Sequence, residues 1–105
     1  MKPLEFLGSS LEDLRDFSAG ARQTAGFELY FVQQGLQPSD WKPMKAVGPG
    51  AMEIRIHRDG EWRVIYVARL EKAVYVLHVF EKKTRKTRQA DIDLARKRYQ
   101  DIRTR

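Results

Sequence analysis

Residues 51–84, AMEIRIHRDGEWRVIYVARLEKAVYVLHVFEKKT, decide the fold. Three runs rich in Val, Ile, Tyr and Phe stand in succession, the composition of a pleated and partly buried surface. The first, AMEIRIHR, turns through Asp59-Gly60 into EWRVIYVARL, a strong short-range hairpin signal. A brief EKA then leads into VYVLHVF. Three such strands in sequence predict an antiparallel meander.

Upstream, LEFLG reads as a short strand ended by Gly8. SSLEDLRDF predicts a helix with Ser9 as N-cap and Glu12 completing a capping box. SAGARQTAGFELYFVQQG predicts a second helix, with Ala25, Leu29, Val32 and Leu36 as one buried stripe and Gly35 as its stop. LQPSDWKPMKAVGPG is too rich in Pro and Gly for a helix or central strand and reads as loop. Trp41 and Met44 are expected to pin it, while Lys42 and Lys45 project from it. Downstream, TRQADIDLARKRYQDIRTR is helical, with a narrow stripe of Ile92, Ala95, Tyr99 and Ile102 for docking on the body or on a partner. The order is strand, two helices, three strands, helix. The fold class is therefore α+β: one domain over residues 1–105, with a first strand at the edge of the meander and a helical hairpin over one face.

The chain has no cysteine, which excludes disulfides and thiolate metal sites and fits a cytoplasmic location. No apolar run approaches the roughly 20 residues of a membrane-spanning helix, and the N-terminus reads as mature structure. The net charge is +6, and its placement is informative. Residues 1–80 balance ten Lys/Arg with ten Asp/Glu, whereas residues 81–105 set ten basic residues against Glu81, Asp91, Asp93 and Asp101. An excess confined to the last quarter of the chain suits an anionic partner better than a general solubility role.

Strand side chains alternate faces. Met52, Ile54 and Ile56, with Trp62, Val64, Tyr66 and Ala68, form an apolar face for the helices. On the third strand strict alternation groups Tyr75, Leu77 and Val79 against Val76, His78 and Phe80. The second face then collects Glu53, Arg55, Arg63, His78 and Lys82. Arg55 and Arg63 opposite glutamates would also suit ordinary cross-strand ion pairs, which contribute little. A histidine in an apolar strand is more often structural than catalytic. Convergence of basic residues from three strands beside a basic tail favours phosphate binding, with arginine offering bidentate contacts. No phosphate-binding glycine loop, metal-ligand spacing or serine–histidine pair accompanies them. Any reaction here is expected to run on acid–base chemistry and charge stabilisation, with neither metal nor cofactor.

The stretches GFELYFVQQGLQPSDWKPMKAVGPGAMEIRI, EWRVIYVARLEKAVYVLHVFEKKTRKT and DIDLARKRY resemble the phage-derived, HigB-type branch of the RelE/ParE toxin superfamily over nearly the whole chain. The resemblance implies a toxin of a toxin–antitoxin module. Its RelE and HigB members are metal-independent endoribonucleases that cut messenger RNA on the ribosome; its ParE members poison DNA gyrase. A catalytically inactive phage-derived binding module is the third alternative. Carried over by position, Arg63 matches the arginine that stabilises the scissile phosphate, Arg55 a basic position on the strand before it, and Lys82 or Lys83 the basic position past the last strand. Glu53 stands where such enzymes carry a lysine, and Tyr99 lies too far inside its helix to match their C-terminal tyrosine. The implied reaction is attack by a ribose 2′-hydroxyl on the adjacent phosphate, with His78 or Glu53 as base. Lys42, Lys45, Arg85, Lys86 and Arg88 are the expected grip on RNA. The implied partners are the ribosome, messenger RNA and a helix-turn-helix antitoxin.

Overall fold

A computed structural model describes residues 1–103; Thr104 and Arg105, the end of the last predicted helix, lie outside the described residues. The elements run β1 (Leu4–Phe6), α1 (Ser10–Arg15), α2 (Ala19–Gln33), β2 (Trp41–Pro43), β3 (Ala51–Ile56), β4 (Trp62–Val67), β5 (Val74–Glu81) and α3 (Gln89–Arg103). They build an α+β fold on one five-stranded sheet of order β1-β5-β4-β3-β2. β3, β4 and β5 form the expected antiparallel meander, and β1 takes the expected edge, parallel to β5 with Leu4 opposite Val74.

The helices form where local signals favour them, with two changes of detail. Ser18 caps α2 by accepting a hydrogen bond from Ala21 N at 3.1 Å. At its far end Gly35 N donates to Val32 O and Leu36 N to Phe31 O, a Schellman closure that Gly35 permits with a φ of 82°. The chain therefore leaves the helical path before Leu36, which is exposed rather than buried in the stripe of Ala25, Leu29 and Val32. At α1 the expected capping box is not made: the Ser9 hydroxyl donates to Asp13 Oδ2 at 2.8 Å instead of capping a backbone N–H.

The segment read as loop contains a strand. β2 pairs antiparallel with β3, Trp41 opposite Ile54 and Lys42 opposite Glu53. Pro43 is compatible because β2 is the sheet's outer edge, where a missing N–H leaves no ladder bond unmade. Lys42 thus projects from a strand. Met44 is buried, as expected, and Trp41 is half-buried.

Both faces of the sheet are covered. α1, α2 and the turn between them bring Leu14, Phe17, Ala21, Ala25, Leu29 and Val32 onto Ile54, Ile56, Val64, Tyr66, Val76 and Val79. On the opposite face Ala95 and Tyr99 of α3 pack with Ile65, Val67, Tyr75 and Leu77, so the stripe of the last helix docks on its own domain. Tyr99 is fastened there by a hydrogen bond from its hydroxyl to Pro49 O at 2.6 Å. A bulge breaks the β4–β5 register: Ile65 faces His78, but Tyr66 faces Val76. Leu77 therefore joins Tyr75 and the α3 core, and Val79 joins Val76 on the α2 side, which corrects the strict alternation expected for β5. The bulge keeps His78 and Phe80 on the α3 face. None of the described helices is long and apolar enough to cross a membrane.

Candidate active site

The β3–β4 hairpin positions the site. Asp59 and Gly60 take the left-handed φ values of 56° and 119° that a tight reversal requires, and the strands emerge in fixed register. Arg55 lies opposite Arg63, and Arg63 opposite Phe80; Lys42 lies opposite Glu53, Glu53 opposite Ile65, and Ile65 opposite His78. Residues directly opposite share a face. Two rows of functional groups thus cross the α3 face of the sheet at the end that α3 leaves open.

Glu53 is the centre of the first group. It is 1% exposed, and its Oε1 lies 3.8 Å from Lys42 Nζ, 3.8 Å from Arg55 Nε and 3.9 Å from Arg63 Nε. These are ion-pair distances, beyond hydrogen-bond range. Glu53 Oε2 and Arg63 Nε are buried without a hydrogen-bond partner. A buried carboxylate needs compensating charge, and three cations supply it. Arg63, itself 5% exposed, is steadied by donating from Nη1 to Glu61 Oε1 at 3.1 Å and Trp62 O at 2.9 Å. Arg55 and Lys42 remain partly open to solvent.

Beside them lies a group that the sequence reading left without a role. His57 Nε2 stands 2.6 Å from Asp40 Oδ2, and Nδ1 stands 2.8 Å from Glu61 Oε2. A carboxylate only accepts, so both bonds are made together when both ring nitrogens carry hydrogen, and the pair of carboxylates favours the imidazolium. The bond to Asp40, then that to Glu61, holds the histidine pKa above its usual 6.5. The same bonds hold the Asp40 and Glu61 carboxyls below their usual range. This histidine is the exposed titratable ring next to the arginines. Strand alternation, which puts His57 on the face of Glu53 and Arg55, and the Asp-Gly turn, which folds Glu61 back toward it, were its sequence signals; nothing in the sequence placed Asp40 there.

His78 stands elsewhere. Ile65 separates it from Glu53, two strand spacings or roughly 10 Å away. Its Nε2 bonds Asp91 Oδ1 of α3 at 2.7 Å, its Nδ1 is buried without a partner, and its ring stacks on Phe80 at 5.1 Å and 21°. Lys82, Lys83 and Arg88 join Phe80, Glu81, Thr84 and Asp91 around a cleft of about 320 Å³ where β5 passes toward α3. Lys82 N donates to Glu61 O at 2.7 Å, tying this cleft to the arginine group. Arg85 and Lys86 are exposed on the adjoining loop, and Lys45 is exposed between β2 and β3. The structure therefore gathers Lys42, Glu53, Arg55 and Arg63, and gathers His78, Lys82, Lys83 and Arg88 separately. A larger cavity of about 720 Å³, lined by Val32, Leu36, Met52, Tyr66 and Ala68, lies on the α2 side, away from both groups.

Such a surface can hold consecutive phosphates, stabilise negative charge at one of them, and deliver or accept a proton through His57. The fold is shared with a free-state mutant of the E. coli toxin RelE, with a TM-score of 0.67 and 18% identity over 96% of this chain and 97% of that one. No curated protein matches the chain. Residues 12–100 match the family described as Phage derived protein Gp49-like (DUF891). With that match over most of its length, the chain belongs to the Gp49-like phage-derived family, and it carries the fold of RelE.

Proposed function

We propose that this protein is the toxin of a toxin–antitoxin module and cleaves messenger RNA on the ribosome. The observation that carries the reading is the group of Lys42, Arg55 and Arg63 around the buried Glu53, with hydrogen-bonding capacity left unused at Arg63 Nε and Glu53 Oε2. A phosphate arriving at Arg55 and Arg63 competes with Glu53 for the same nitrogens. The ribose 2′-oxygen attacks phosphorus, the bond to the 5′-oxygen breaks, and a 2′,3′-cyclic phosphate and a 5′-hydroxyl result.

Arg55 and Arg63 stabilise the charge that develops on the phosphoryl oxygens. Glu53, displaced from them, takes the 2′-proton, and the His57 imidazolium returns a proton to the leaving 5′-oxygen. Lys82 and Lys83 steady the neighbouring phosphate, and Lys42, Lys45, Arg85, Lys86 and Arg88 hold more distant ones. His78, with one nitrogen enclosed and the other on Asp91, acts from behind the reacting atoms. The reaction takes place in the cytoplasm, with the ribosome presenting the RNA. A small helix-turn-helix antitoxin encoded alongside silences the protein by covering the basic face or displacing α3.

Expression of the chain in growing cells, followed by mapping of RNA ends, tests this reading. Cuts inside translated codons with cyclic phosphate and 5′-hydroxyl ends, lost in Arg63→Ala and Glu53→Gln, are expected. Double-strand DNA breaks with intact RNA would instead make gyrase the target, and unimpaired growth would make the chain an inactive binding module.

A further inference from the structure

We infer that the cleft between β5 and α3 is a nucleobase pocket, which receives the base next to the phosphate held by Arg55 and Arg63. This rests on the nuclease reading above and extends it from the phosphate to the base. Three observations lead there. Phe80 is cross-strand neighbour to Arg63, so an aromatic ring and a phosphate-binding guanidinium stand side by side on one face. Phe80, partly buried against the α3 core, keeps some exposure at the wall of the cleft while His78 lies against it as a backing ring. The cleft, at about 320 Å³, falls at the small end of the range for small-ligand sites, roughly 300–1,000 Å³.

The lining divides by chemistry. Lys82 and Arg88 suit the anionic sugar–phosphate, Lys83 is shared with the lining carboxylate of Glu81 at 3.7 Å, and Phe80 offers an aromatic face on which a base can stack. Asp91 supplies the reader. The hydrogen bond from His78 Nε2 fixes one carboxylate oxygen, and acceptor positions are left for a base edge. A carboxylate accepts from amino and imino N–H groups; guanine presents two of these side by side, whereas uracil presents one between two carbonyls. The pocket therefore favours guanine over uracil. His78 has a defined part in it: a positioning residue that braces Phe80 and aims Asp91.

The test is a titration of the full chain, without ribosomes, with GMP, UMP and ribose 5-phosphate, read from the amide shifts of residues 80–91. GMP is expected to bind about tenfold more tightly than ribose 5-phosphate, the scale of one base stacked on an aromatic ring. Phe80→Leu keeps apolar bulk and should erase that margin without changing ribose 5-phosphate binding; Phe80→Trp should widen it. Asp91→Asn should abolish the preference for GMP over UMP. Equal binding of GMP and ribose 5-phosphate by the native chain, or a margin that survives Phe80→Leu, overturns the pocket. A chain that cuts RNA yet shows no margin loses the pocket and keeps the nuclease; one that shows the margin yet cuts no RNA does the reverse.

Discussion

Arg63 and His57 mark the two kinds of residue at this surface. Arg63 is buried, held at Glu61 and Trp62 O, and set beside a carboxylate whose Oε2 has no hydrogen-bond partner. Its loss should reduce RNA cleavage by about 10²–10³-fold, the usual effect of deleting one pre-organised donor. Arg63→Ala should also lower stability, by less than the roughly 3–5 kcal/mol of a broken buried pair, because Lys42 and Arg55 still face Glu53. Denaturant unfolding beside the cleavage assay separates the two effects. His57 is exposed, and its influence is read in pH. Its raised pKa contributes stability that is complete below about 6.5 and is lost as pH climbs through the raised value. The lowered pKa values of Asp40 and Glu61 contribute stability present above their ordinary 3.8 and 4.5 and lost as pH falls through the depressed ones. The difference between native and His57→Gln unfolding should therefore be largest between about pH 4.5 and 6.5, stay under about 1 kcal/mol, and shrink at high salt. Arg55 and Arg63 were legible in the sequence because a period of two and one Asp-Gly turn fix their pairing. The His57–Asp40 bond was not, since it joins segments that share no local pattern.

At the level of elements, short-range chemistry was the readable part. The meander, both helices of the hairpin and the docking stripe of α3 follow from periodicity and turn residues. β2 escaped notice because three residues carry too little alternation to outweigh neighbouring prolines. The bulge escaped because one extra residue in a run of Val, Leu and Tyr leaves no compositional mark, yet it decides which core Leu77 and Val79 enter. Two substitutions probe the element ends. Gly35→Ala forces a β-carbon onto a φ of 82° and should cost about 1 kcal/mol or somewhat more, seen as a lower unfolding midpoint. Tyr99→Phe removes the bond to Pro49 O and should cost about 0.5–1.5 kcal/mol. Close passage of α3 adds a steric check: a β-carbon built at Gly48 would lie 3.0 Å from three ring atoms of Tyr99, so Gly48→Ala should loosen the same helix.

Across the whole molecule, charge and topology have separate consequences. The +6 excess belongs to the last quarter of the chain, and α3 with its preceding loop carries it alongside the arginine rows. RNA affinity should fall steeply with salt, and each phosphate contact removed, as by Lys86→Ala or Arg88→Ala, should flatten the slope by about 0.7 in log–log form. Filter binding across a salt series measures this directly. Topology acts on time rather than affinity. β1 precedes the other described strands in the chain, yet its place in the sheet is beside β5, with Leu4 against Val74. A pairing so distant along the chain closes late, because loop entropy must be overcome before the contact returns any stabilisation. A nascent chain halted before Val74 has neither its central strand partner nor α3, and its rows of cations have no frame. The surface therefore exists only once β5 and α3 have both been made, and a chain still short of α3 presents no frame on which RNA could be held.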